Sequence, residues 1–140
     1  MKDLLNHIHP VLALAPVVVG DNTAQVGAVI DRQGFESVTY IIALGTLADP
    51  DAQFTVLLEE GDAANLSDAV AVDDKYLLGT ELLAGFNFAD DGKTRKLGYI
   101  GNKRYTRLTV TPSGNSAAAP VAAVALLGHP QLKPTPNPPN

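Results

Sequence analysis

The chain has no cysteine and no tryptophan. Without cysteine there can be no disulfide and no thiolate-ligated zinc, and the composition suits a protein made and kept in a reducing compartment. Aromatic residues are only 6% of the total, so a core must rest on Val, Leu, Ile and Ala. No run approaches the ~20 apolar residues of a membrane helix. The apolar stretch "VLALAPVVVG" follows Lys2, but Asp3, Asn6, His7, His9, Pro10 and Pro16 interrupt any continuous apolar region, so neither a secretory leader nor a span is expected. Signatures of catalysis are missing as well. There is no glycine-rich phosphate loop, no Gly-x-Ser-x-Gly elbow and no Ser-x-x-Lys, so no enzyme and no cofactor is expected.

Acid is also missing from one part of the chain. All fifteen Asp and Glu lie at or before Asp91, with only Lys2, Arg32 and Lys75 beside them, a net charge of −12. From Gly92 onward there are seven Lys/Arg and no acid, a net +7 that brings the total to −5. A compact fold can interleave the two halves, so this polarity need not become a bipolar surface.

What is present reads as β-structure in a single domain, the default for 140 residues. "QVGAVID" (25–31) and "ESVTYIIAL" (36–44) are rich in β-branched residues and are separated by "RQGF". In the second, Val38, Tyr40, Ile42 and Leu44 share one face. In "QFTVLLEE" (53–60), Phe54, Val56 and Leu58 point inward by the same alternation. The loop "GTLADPDA" between these two strands predicts a hairpin. Residues 61–85 leave a short helix near 73–78 and a strand through "AVAV" both open.

In the second half, "ELLAGFNF" and "KTRKLGYIG" flank Asp90-Asp91-Gly92, and Asp-Gly is a strong hairpin signal. Gly101-Asn102-Lys103 predicts the next turn, into "RYTRLTVT". "PVAAVALLG" (120–128) is apolar on both faces, so it is expected to be covered on both sides or paired across a subunit contact. About eight short strands with turns at regular spacing indicate an all-β, jelly-roll-like antiparallel β-sandwich over residues 1–128, with residues 1–20 as a candidate N-terminal arm. Residues 129–140, "HPQLKPTPNPPN", hold five of the ten prolines and predict an extended Pro-rich C-terminal tail, free or ordered on a neighbouring subunit.

Candidate chemistry is sparse. His7 and His9 could share a strand face and ligate a metal, but the prolines around them and the position of His129 argue against it, and no metal is expected. Asp49-Pro50-Asp51 lacks the remaining ligands of a calcium loop. Asp90-Asp91 fits turn chemistry better than an acid/base couple. "TRKLGYIGNKRYTRLTV" alternates basic residues with Tyr99 and Tyr105, which raises nucleic-acid binding. Yet the aromatics form no repeated platform, Arg107 and Tyr105 at most pair with each other, and the net charge repels phosphate. A basic β-hairpin facing protein or solvent explains the same residues.

"GFESVTYIIALG", "FTVLLEEGD", "LGYIGNKRYTRLTV" and "VAAVALLGHP", with the opening "MKDLLNHIHPVLALAP", resemble the capsid cementing (decoration) proteins of tailed phages, including that of a short-tailed Bordetella phage. The resemblance implies a jelly-roll sandwich on the outer capsid surface, made in the host bacterial cytoplasm. It implies homodimers that bridge neighbouring major capsid subunits, with no catalytic residue, no nucleic-acid partner and no membrane. On that expectation the candidate protein-interface residues are Lys93, Arg95, Lys96, Lys103, Arg104, Arg107, His129, Pro130, Leu132, Lys133 and Pro134. A carbohydrate-binding β-sandwich is the alternative, although four tyrosines and no tryptophan offer few platforms for sugar rings.

Overall fold

Alternating apolar residues build two antiparallel sheets that bury their shared faces against each other. The computed structural model describes residues 2–139. Its strands are β1 (Ile8–Val19), β2 (Gln25–Val26), β3 (Ile30–Asp31), β4 (Phe35–Leu44), β5 (Gln53–Gly61), β6 (Val70–Ala71), β7 (Leu77–Leu78), β8 (Phe86–Asn87), β9 (Thr94–Tyr99), β10 (Tyr105–Ser113) and β11 (Ala119–Pro130). One sheet has the order β1-β11-β4-β9-β7. The other has β2-β10-β5-β6, with β3 also on β10 and β8 on β5. The first long strand pairs with the last, and most successive long strands change sheets. That winding is a jelly roll.

The expected inward faces are the observed ones. Val38, Tyr40, Ile42 and Leu44 are buried, as are Phe54, Val56 and Leu58 opposite them. Each such aliphatic burial stabilises by roughly 1.5–3 kcal/mol against exposure. Phe54 and Phe86 stack at 4.8 Å between ring centroids. With no tryptophan available, tyrosines tie the layers together. Tyr40 on β4 meets the Thr106 hydroxyl on β10, and Tyr99 on β9 donates to Glu60 on β5.

Three expected hairpins are corrected. β4 and β5 lie in opposite sheets, so "GTLADPDA" is a crossover. β9 and β10 likewise part company at Gly101–Lys103, so the basic stretch is two strands of two sheets and no hairpin. "ELLAGFNF" is not the partner of β9: Glu81–Ala84 is a short helix (α1), and Phe86–Asn87 pairs with β5. Gly92 does take a positive φ of 67°. Turn residues reverse the chain locally, but the choice of partner strand is made by burial.

The expected strand over 25–31 is broken at Gly27. A Cβ there would sit 2.5 Å from the Ala13 carbonyl oxygen and 2.6 Å from that of Leu108. Only glycine lets the chain pass between β1 and β10, where the Gly27 and Ala28 amides donate to Leu108 and Ala13, each at 2.8 Å. The open region near residue 75 contains both readings: a 3-10 turn at Asp74–Tyr76 between short strands β6 and β7.

Both chain ends differ from expectation. Residues 8–19 are no arm, because β1 is the edge strand of the five-stranded sheet. β11 continues two residues past the expected boundary, with Pro130 opposite Phe35. The tail then folds back on its own chain. The Gln131 amide donates to the Gly34 carbonyl at 2.9 Å, and the buried Thr135 donates from its hydroxyl to the Ile8 carbonyl at 2.6 Å and from its amide to Asn6 at 3.1 Å.

Candidate functional site: the apolar outer face

The basic residues singled out in the sequence do not form a shared patch. Arg104 grips Asp31 with two nitrogens at 2.9 Å each and lies over the Tyr105 ring, 5.0 Å from its centroid. Tyr105 therefore pairs with Arg104, where the alternation suggested Arg107. Arg107 meets Glu59 directly across the β10–β5 ladder at 3.0 Å. Lys103 pairs with Asp62 at 2.7 Å. Arg95 and Lys93 both reach Asp90, at 2.6 and 3.5 Å. Every acid in these pairs comes from the acidic first 91 residues, so folding interleaves the two charged halves. Hydrogen bonds from Arg104 hold the Asp31 carboxyl below the usual range, and the same interaction raises Arg104. Lys96 and Lys133 make no ion pair among the described residues.

The unusual surface is the outer face of the five-stranded sheet. Alternation that sends Val121, Ala123, Ala125 and Leu127 inward leaves Ala122, Val124 and Leu126 facing out. Neighbouring strands add to this in register. One row runs Leu12, Val124, Ile41, Lys96, and the next runs Pro10, Leu126, Thr39, Gly98, Leu78. Leu12 is 52% exposed, Val18 64% and Leu78 58%. Beside Leu78, α1 lifts Leu83 into solvent. Lys96 is the one charge in the two rows. "PVAAVALLG" is thus covered by core on one side only.

The face is neither flat nor open at its edge. Depressions occur at Pro16, Val18, Ala43, Pro120 and Ala122 at one end, and at Leu78, Leu83, Lys96 and Gly98 along the β7–β9 side. Along β1, the pairing with β11 shifts register between Leu12 and Leu14 and again between Leu14 and Val17, and Pro10 and Pro16 lie within the strand. Prolines and bulges of this kind discourage strand addition. What this sheet offers a partner is its face.

Other candidates are accounted for locally. Among the described residues no group of three His, Asp or Glu could hold a metal ion. His7 ends a 3-10 turn, whereas His9 lies in β1 and stacks on Phe35. Asp49 accepts from the Ser116 amide and hydroxyl at 2.8 and 3.0 Å, bracing two loops, and Asp90 closes a capping box with Asn87. Pro130 is buried in the sheet, Leu132 is 84% exposed, and His129 is exposed beside β4. Among the described residues no helix is long and apolar enough to cross a membrane.

The architecture defines the chain as a jelly-roll β-sandwich, and the chain is similar to the following solved structures. PBSX exported protein XepA, a phage-derived protein, matches with a TM-score of 0.51 and 18% identity over 85% of this chain. This chain spans 36% of XepA. SPBc2 prophage-derived protein YomS gives a TM-score of 0.42 at 10% identity, covering 89% of this chain and 99% of that one. The xylan-binding module CBM15 also gives 0.42 at 10%, covering 93% and 95%. No family model and no curated protein matches the chain.

Proposed function

We propose that this chain is a structural virion protein of a tailed phage, one that binds the outer surface of the head and bridges neighbouring major capsid subunits. The observation that carries the reading is the uncommitted apolar face: rows of Leu, Val, Ile and Pro with one lysine, where the other sheet turns mostly Gln, Thr, Ser, Arg and Glu outward, with Val26 and Leu57 among them. Contiguous exposed apolar surface of this kind marks protein contact. The fold shared with the phage-derived XepA is compatible with it.

In this reading the face buries against protein, either a second copy or a capsid subunit. Bridging then works by multivalency. Once one contact forms, the second is intramolecular, so two weak contacts resist the outward load of packaged DNA together. A homodimer doubles the footprint. Of the basic candidate interface residues, Lys96 and Lys133 bring charge not already neutralised within the chain, which would suit an acidic rim on a capsid subunit. The reading assigns the protein no catalysis, no cofactor and no nucleic-acid or membrane partner.

A carbohydrate-binding role is equally compatible with the fold and less so with the surface. Tyr40 and Tyr99 are buried between the sheets, and neither outward row contains an aromatic ring. Reconstitution separates the two readings. Shells lacking the protein should bind it at saturable sites and gain resistance to heating. No binding to shells, together with a specific signal on a glycan array, would reverse the choice.

A further inference from the structure

At one end of this sheet face the N-terminal turn and the C-terminal tail meet the ends of β4 and β11. They enclose a slot of about 480 Å3, within the range of small-ligand sites. Ile8, Leu126 and Pro130 give it apolar walls, and its polar groups include His7, Glu36, Ser37, His129, Gln131 and Lys133.

The polar end is specifically built. Ser37 Oγ and His129 Nδ1 are hydrogen-bonded at 2.8 Å. His129 holds a positive φ of 50°, a conformation non-glycine residues seldom adopt and one that concentrates at binding sites. The preceding Gly128 makes room for the pair, since a Cβ there would lie 2.7 Å from Ser37 Oγ. His7 Nδ1 is buried with no hydrogen-bond partner among the described residues. When the Ser37 hydroxyl donates to Nδ1 of a neutral ring, the His129 proton sits on Nε2, and that nitrogen becomes a donor. Lys133 adds an ammonium against the single carboxylate of Glu36. In that tautomer His129 Nε2 and the Lys133 ammonium are both donors, and the group that matches them is an acceptor.

The geometry points to a binding site for a carboxylate carried on a compact apolar body, the body against Ile8, Leu126 and Pro130 and the carboxylate toward His129 and Lys133. That chemistry has two sources, a free short-chain acid or the C-terminal residue of another polypeptide. The slot shares Thr39 and Leu126 with the apolar face and Lys133 with the proposed capsid contact, but it lies within one chain, so ligand binding is read on the free protein whatever the outcome with shells.

The test uses the intact protein, labelled with nitrogen-15, titrated with octanoate, N-acetyl-leucine and octanol. Either carboxylate should shift the Gly128, His129 and Lys133 amides saturably, with octanol at least about tenfold weaker. Tighter octanoate identifies the free acid, and tighter N-acetyl-leucine the chain end. Lys133→Ala and His129→Ala should each weaken binding by roughly tenfold in protein whose melting shows it folded. The site is overturned if neither carboxylate shifts these amides at about 10 mM, or if octanol matches octanoate. It is equally overturned if Lys133→Ala, at an exposed position, binds as well as the parent.

Discussion

Tyr99 of the five-stranded sheet donates its phenolic hydrogen to the Glu60 carboxylate of the facing sheet, with both side chains buried between the layers. The Lys103 amide donates to the same phenolic oxygen at 3.0 Å, so the contact also fixes the crossover between the sheets. Tyr99→Phe removes the donor from a buried carboxylate and leaves the Lys103 amide without its acceptor. Urea unfolding should show a loss of about 1–3 kcal/mol. Glu60→Gln retains an acceptor for Tyr99 and should cost less. Equal stability of Tyr99→Phe and the parent would remove this tie from the account.

Alkaline pH tests the same layer. Burial pushes the Tyr99 hydroxyl above its usual range, and its hydrogen bond to Glu60 pushes it further. Burial also raises Tyr40, with the Thr106 hydrogen bond opposing. A raised tyrosine pKa means that the folded state holds its proton more tightly than the unfolded chain does. The contribution is complete below the ordinary tyrosine value of about 10 and is lost as pH rises above it, at up to about 1.4 kcal/mol per pH unit for each group. The tyrosinate absorbance due to Tyr40 and Tyr99 should therefore appear together with unfolding, and the Tyr40→Phe, Tyr99→Phe double variant should flatten the pH slope. An unchanged slope in that variant would refute the assignment.

Ion pairs that interleave the charged halves should differ by exposure. Arg107 and Glu59 are directly opposed on neighbouring strands and mostly covered, and Arg107→Ala should cost up to about 1 kcal/mol. Arg104 and Asp31 are each nearly half exposed, so Arg104→Ala should lower the melting temperature less, and 1 M salt should erase the difference. Because Asp31 is held below its usual range, its contribution is present above the ordinary aspartate value and lost as pH falls through the lowered one. A larger cost for Arg104→Ala than for Arg107→Ala would contradict this ordering.

The tail is held through Thr135. Thr135→Val keeps the shape and removes the hydroxyl that bonds the Ile8 carbonyl, which should cost about 1 kcal/mol. Deleting 131–140 should speed hydrogen exchange at the amides of residues 4–8. Unchanged exchange would mean that the tail does not brace the N-terminal turn.

Strand faces were legible in the sequence because a two-residue period survives any choice of partner: Val38, Tyr40, Ile42 and Leu44 had to share a side. The partners were not legible. Asp91-Gly92 and Gly101-Asn102 reverse the chain whether the next strand joins the same sheet or the opposite one. The ion pairs were hidden for the same reason, since Arg107 finds Glu59 through the β10–β5 register, 48 residues apart. The apolar outer face was half visible, because "PVAAVALLG" announced two apolar sides. Its extent depends on Leu12, Ile41 and Leu78, which three other strands bring alongside.

Val124 is the position that tests the face most directly. It sits between Leu12 and Ile41, points away from the core, and is only partly exposed. Val124→Glu places a carboxylate among apolar neighbours that remain hydrated in the free protein, so folding should persist with little change in melting. In a contact the same carboxylate would be desolvated without a partner, a penalty of several kcal/mol. Binding to reconstituted shells, or self-association by sedimentation, should therefore weaken at least about 100-fold, equivalent to ~3 kcal/mol. Thr55→Glu on the outer face of the other sheet serves as the control and should leave both unchanged. If Val124→Glu associates as the parent does while Thr55→Glu fails, the contact surface is the opposite sheet.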